Sequence, residues 1–217
     1  MAKKIYLSPS DQYRNTYFDG KHNEGEVCHT ISGATEIALE RSGVPVRRGK
    51  TGTYQERVSE SNKWGADLHV CIHTNAGGGD GTLVMCYPGN KNEAIVKNMY
   101  NKLAKMSPGK DDGIKEVTNL YEINNSEALC VYIEIAFHDN SKDGKWILEN
   151  EQKIGEAIAE AICDTYGYKY VPKNETSDDV SRETLYKVQV GAFSEKKNAE
   201  KLASELASKG YSTYIVN

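Results

Sequence analysis

Short apolar runs alternate along this chain with stretches in which apolar residues recur every three or four positions. Lys4–Leu7 reads as a first strand, stopped by Ser8, Pro9 and Ser10. After a polar loop, Val27, Ile31, Ala34 and Ala38 fall at helical spacing, which predicts a helix from about Glu24 to Ser42 with Gly43 as its stop. A short strand at Val44–Arg47, a helix near Tyr54–Trp64 and a buried-strand run that carries His73 at its end follow. Next come a strand at Thr82–Tyr87, a helix at Glu93–Lys105, strands near Asn119–Ile123 and Ala128–Phe137, and a closing helix from Ala157 to Tyr166. Strands alternating with helices predict an α/β fold, a mostly parallel twisted sheet with helices on both faces.

From Pro172 to Glu183 the composition shifts to Pro, Lys, Asn, Glu, Thr, Ser and Asp, a solvated linker. Beyond it Tyr186–Val190 alternates like a half-buried strand. Ser194 then caps a helix with Ala199, Leu202, Ala203 and Leu206 on one face, and Tyr211–Val216 reads as a second strand. The expected organisation is a main domain over residues 1–170, a linker over 171–184 and a small β-α-β unit over 185–217. One such unit is too small to bury a stable core alone, so dimerisation through it, driven by Val188, Val190, Leu202 and Leu206, is expected.

Composition narrows the function. With 38% hydrophobic and 27% charged residues the chain can build a packed core. A net charge of -4 and the lack of a basic stripe argue against nucleic acid as a partner. Fourteen tyrosines against three phenylalanines suit polar, stackable surfaces such as carbohydrate clefts. The five cysteines, none in a Cys-x-x-Cys pair, read as free buried thiols. No transmembrane span and no signal peptide are legible, so synthesis in a bacterial cytoplasm and action outside after release are expected.

Three segments carry candidate chemistry. His73 stands where a strand runs into Gly77, Gly78 and Gly79, at the edge where open α/β sheets place ligands. His69 lies four residues earlier, about 13 Å away along a strand, too far to share one metal with His73. Glu24 sits at a predicted helix start, where the helix dipole alone would favour an acid. Glu134 interrupts an apolar run fit for a central strand, and an unpaired carboxylate there costs several kcal/mol. A nitrogen ligand, a carboxylate ligand and a carboxylate base are the parts of a zinc hydrolase. Gly77–Gly81 lacks the Lys-Ser/Thr of a phosphate loop and reads as a mobile rim. Arg57 could be an ordinary exposed helix residue.

The run from Arg57 through Asn62, Ala66–Leu68, Ile72–Ala76, Ile133–Phe137 and Asn140 resembles the zinc-dependent N-acetylmuramoyl-L-alanine amidases of the amidase-3 type. The resemblance covers about Lys4 to Tyr168. It implies zinc as cofactor, His73 and Glu24 as ligands and Glu134 as the catalytic glutamate. The family's usual first ligand is a histidine after strand one. Here the loop reads Ser8-Pro9-Ser10-Asp11-Gln12, leaving Asp11, Gln12 and His22 as alternatives. Its Ser-Pro-Ser-x-Gln form resembles a clostridial, phage-associated branch and favours Gln12. The tail, Tyr186–Phe193 with Asn198–Glu200, Gly210 and Tyr211, resembles the first half of a SPOR domain, a module that binds peptidoglycan glycan strands.

The resulting expectation is a peptidoglycan hydrolase that cleaves the amide between N-acetylmuramic acid and the L-alanine of the stem peptide, acting on the cell wall in phage lysis or autolysis. The alternatives are a wall-binding protein on the same fold without catalysis, and a zinc carboxypeptidase-like peptidase.

Overall fold

The structure is a computed structural model that describes residues 2–110, 112–173 and 190–208. Two compact units divide the chain, Met1–Lys173 and Asn174–Asn217. The first holds strands β1 (Ile5–Pro9), β2 (Val46–Arg48), β3 (Leu68–Asn75), β4 (Leu83–Cys86), β5 (Gly113–Glu116) and β6 (Leu129–Phe137). They form one sheet in the order β2-β1-β3-β6-β4-β5. β2, β1, β3 and β6 run parallel, β4 is antiparallel to β6, and β5 follows β4. The α/β class expected from the alternation is what forms.

Helices α1 (Glu24–Arg41), α3 (Ala94–Met106) and α5 (Ser141–Tyr166) cover one face, and α2 (Tyr54–Trp64) and α4 (Tyr121–Asn125) lie on the other. Alternation along the strands sorts the side chains. Ile5, Leu7, Val70, Ile72, Val131, Ile133 and Ile135 pack with α1, α3 and α5 in the main core. The opposite face receives Tyr6, Ser8, His69, Cys71, His73, Cys130, Tyr132 and Glu134. It is a polar face, and α4 covers part of it with Ile123 and Leu120.

Local chemistry sets the helix ends. Asn23 caps α1 by accepting from the Glu26 amide at 2.9 Å. Thr53 and Glu56 cap α2 reciprocally, and Gly65 ends it at φ 69°. Asn140 caps α5 through the amides of Lys142 and Asp143. All five cysteines are free and buried.

Two expectations fail. Asn119–Ile123 is no strand; the edge strand is Gly113–Glu116, and Tyr121–Asn125 is a short helix. A brief apolar run reads either way, and the helical turn wins by aiming Glu122 and Ile123 into the polar face. The closing helix begins at Ser141 rather than Ala157. Its first half is mostly polar, and non-helical dihedrals at Asn150 break the apolar period.

In the second unit, α6 (Lys196–Ser208) bears the expected half-buried Ala199, Leu202, Ala203 and Leu206. Residues 186–189 and 211–216 of the two expected strands, and with them the dimerisation they would carry, lie outside the described residues. Among the described residues no helix is long and apolar enough to cross a membrane.

The packing of α1 on α5 generates one prediction. A Cβ on Gly155 would sit 2.6 Å from the Ala34 Cβ and 2.8 Å from the Ile31 carbonyl oxygen. Backbone cannot yield there, so Gly155→Val is expected to destabilise by about 1–3 kcal/mol. At roughly 2–4 °C per kcal/mol the loss is readable by calorimetry, and an unchanged Tm would contradict this packing.

Candidate active site

Four pieces of chain meet at the carboxyl edge of the parallel strands. β3 supplies His73, β6 supplies Glu134, the start of α1 supplies Glu24 and the loop after β1 supplies Gln12. Parallel register sets His73 opposite Glu134. Glu24 is buried, and its Oε1 lies 2.9 Å from His73 Nδ1. Gln12 Nε2 stands 3.3 Å from the same ring nitrogen and 3.4 Å from Glu24 Oε1. Asn15 Nδ2 donates to both Gln12 Oε1 at 2.8 Å and Glu24 Oε2 at 2.9 Å, tying the loop to the helix. The His73 ring stacks on Tyr132 with centroids 4.4 Å apart.

Burial opposes charge on both members of the His73–Glu24 pair, yet their mutual hydrogen bond together with the surrounding charges and hydrogen bonds outweighs it. The imidazole is held above its ordinary pKa and the carboxyl below its own. Glu134 behaves differently. Its Oε2 is sealed from solvent and has no hydrogen-bond partner among the described residues. Burial first, then the charge of Glu24, pushes its carboxyl up to about 7, against the opposing pull of His73. An acid poised near neutrality beside a histidine–carboxylate pair is suited to take and return a proton.

The three alternatives for the remaining ligand separate in space. The Asp11 carboxylate turns toward α2, accepting from the Tyr54 amide at 3.2 Å and lying 3.5 Å from Arg57 Nη2. His22 pairs with Asp19 at 2.6 Å on the surface. Gln12 is the one set against His73 and Glu24.

These donors fit a zinc ion. Tetrahedral bonds of about 2 Å put neighbouring nitrogen and oxygen ligands roughly 3.3 Å apart, close to the 2.9 Å between His73 Nδ1 and Glu24 Oε1. Only the oxygen of an amide can ligate, so Gln12 must rotate its Oε1 inward and give up the bond from Asn15. A cavity of about 350 Å³, lined by Gln12, His73, Glu122, Tyr132, Tyr54 and Tyr121, leads to the group.

Beneath His73 lies a buried network that the sequence reading did not single out. Glu122 accepts from Ser8 Oγ, lies 3.2 Å from His69 Nε2, and approaches His73 Nε2 to 3.9 Å. Ser8 in turn accepts from Arg57 Nε at 2.9 Å, and Arg57 Nη1 donates to the Gly52 carbonyl at 2.7 Å. Arg57 is 1% exposed, far from an ordinary surface residue of a helix. Glu122 carries the same signal as Glu134, an acid between apolar neighbours, and could have been found by it. The glycine rim is tied down rather than loose. Asp139 accepts from Gly77 and Gly78, Asn140 donates to Gly79, and Asp143 accepts from Gly81.

A pH prediction follows from Glu134. The folded state keeps its proton up to about pH 7, whereas the unfolded chain releases it near 4.5. Stability of the chelator-treated protein therefore falls as pH rises through that window, by on the order of 3 kcal/mol from this group. Glu134→Gln is expected to remove that part of the decline in urea unfolding at pH 5 and pH 8. Equal slopes for the two proteins would show that Glu134 is not so perturbed.

Comparison with known proteins agrees with this geometry. Residues 14–164 match the Amidase_3 family, described as N-acetylmuramoyl-L-alanine amidase, and residues 183–217 match the SPOR domain. The N-acetylmuramoyl-L-alanine amidase CwlM of Bacillus licheniformis is 28% identical over 171 residues, 77% of this chain and 63% of that protein. The sporulation-specific N-acetylmuramoyl-L-alanine amidase of Bacillus subtilis is 26% identical over 190 residues, 84% of this chain and 71% of its own. The chain thus spans less than two thirds of the first of these relatives. Among solved structures, the catalytic domain of CwlV from Bacillus (Paenibacillus) polymyxa superposes with a TM-score of 0.69 at 18% identity, over 76% of this chain and 99% of that one, a likeness of fold. With the family matched over most of the main unit, the chain belongs to the N-acetylmuramoyl-L-alanine amidases of the Amidase_3 family.

Proposed function

We propose that this protein hydrolyses the amide between the lactyl group of N-acetylmuramic acid and the first L-alanine of the peptidoglycan stem peptide, with zinc held by His73, Glu24 and Gln12 and with Glu134 as general base and acid. The observation that carries the reading is the Glu134 carboxyl beside the His73–Glu24 pair, its Oε2 sealed from solvent without a hydrogen-bond partner among the described residues and its pKa pushed up to about 7. A bound zinc supplies a Lewis acid for the scissile carbonyl and lowers the pKa of water. Glu134 Oε2 takes the proton of the attacking water and returns it to the departing amine nitrogen. Asn15 holds Glu24 and Tyr132 holds His73 in place during this transfer. Tyr54 and Tyr121, in edge contact at 5.5 Å on the cavity wall, offer apolar faces to the glycan. The SPOR segment adds affinity for glycan strands.

Gln12 favours a second reading, a wall-binding protein that has lost turnover. A neutral amide oxygen is a weaker zinc ligand than imidazole, and in this structure the amide nitrogen faces His73.

The two readings part on release of soluble product from dye-labelled cell walls, with mass spectrometry of the fragments. Hydrolysis that frees the stem peptide from N-acetylmuramic acid supports the amidase, whereas release of amino acids alone indicates a carboxypeptidase. Glu134→Ala is expected to keep fold and zinc and to lose about 10²–10⁴-fold in rate. His73→Ala is expected to lose one equivalent of zinc. Wild-type turnover in Glu134→Ala, or no turnover in the parent chain, would refute the proposal.

A second measurement concerns Gln12. Gln12→His restores an imidazole at the position where the family usually has one. It is expected to tighten zinc binding in competition with a chelator, and weaker binding would mean that Gln12 is not a ligand.

A further inference from the structure

The polar face of the sheet holds a second group of metal-binding side chains, distinct from the Gln12–Glu24–His73 set. His69, Cys71 and Glu122, all buried, bring one ligand atom each to within 4.8 Å of one another. Cys130 Sγ lies 3.7 Å from that of Cys71 but outside this group. We propose that His69, Cys71 and Glu122 form a second site, for zinc or a similar thiophilic divalent cation.

Distances carry the argument. Tetrahedral bonds of about 2 Å hold a nitrogen and an oxygen roughly 3.3 Å apart. Here His69 Nε2 is 3.2 Å from Glu122 Oε1, and the Cys71 sulfur lies within 4.8 Å of a ligand atom of each. One imidazole, one sulfur and one carboxylate oxygen are a donor set that suits zinc and disfavours calcium or magnesium.

The surroundings fit as well. The His69 ring is fixed by stacking on Tyr6, with centroids 5.3 Å apart. Glu122 is fixed by Ser8, with the Arg57 guanidinium behind it to offset the negative charge of a thiolate and a carboxylate. Entry is available, since Glu122 lines the active-site cavity and Cys130 lines a second cavity of about 270 Å³. Burial holds the Cys71 thiol well above its ordinary pKa, so without metal it stays protonated. Each thiol that binds the cation releases its proton to solvent.

The test uses the full chain, stripped with chelator and titrated with cobalt(II), whose bond to a thiolate gives an intense charge-transfer absorption. Two equivalents are expected, one with that absorption. Cys71→Ala should lose the absorption and one equivalent, Cys130→Ala should keep both, and His73→Ala should lose the other equivalent while keeping the absorption. The spectrum reports thiolate ligation whether or not the protein hydrolyses cell walls, so it stands apart from the proposed activity. Folded wild-type protein that binds cobalt without the absorption would overturn the site, even if the cysteine variants fail to fold. So would a Cys71–Cys130 disulfide in the native protein, or an absorption that survives in folded Cys71→Ala.

Discussion

The parallel pairing of β3 with β6 is the constraint on which everything else in the first unit depends. Its register sets His73 beside Glu134, and alternation then fixes His69, Cys71, Cys130 and Tyr132 on the same face. A slip of one residue would send every one of these side chains into the apolar core and Val70, Ile72, Val131 and Ile133 into the polar face. The main core resists that slip strongly, because those aliphatic residues pack against three helices. Hydrophobic burial on one side of the sheet thus holds the chemistry on the other side in place.

The polar face carries an unusual concentration of buried charge. Arg57, Glu24, Glu122, His69 and His73 are all almost fully covered. Removing one partner from such a group leaves an uncompensated charge and costs about 3–5 kcal/mol. Two short hydrogen-bonded chains meet this demand. Arg57, Ser8, Glu122 and His69 form one, and Asn15, Gln12, Glu24 and His73 form the other. They approach each other at His73, whose two ring nitrogens face Glu24 and Glu122. Glu134 is left outside both chains. Burial, with no hydrogen bond to its Oε2 among the described residues to counter it, pushes its carboxyl up to about 7, unlike the carboxyls of Glu24 and Glu122, which are lowered.

Gln12 stands in the loop after β1, where the resemblance to the zinc amidases implies a histidine. The structure places the amide between Asn15 and the His73–Glu24 pair, within hydrogen-bond reach of both. It also gives the departure a chemical meaning. An amide satisfies two acidic or basic neighbours as a donor, whereas a metal needs its oxygen.

The sequence by itself determined the alternation of strands and helices, the ends of α2, the place of His73 at a strand end and the anomaly of Glu134 within β6. Those features are local. Hydrophobic period, capping residues and a charged side chain in an apolar run are all legible within a dozen neighbouring residues. Tertiary structure alone decided that Asn119–Ile123 gives up its strand pattern for a helical turn, and that Arg57 is buried. It also decided that Gln12, rather than Asp11 or His22, meets the pair, and that Glu122 stands between two histidines. In each case the deciding partner lies far along the chain, 49 residues from Arg57 to Ser8 and 61 from Gln12 to His73. A linear pattern carries no signal for such a contact, because only the closing of the sheet brings the two ends of the interaction together.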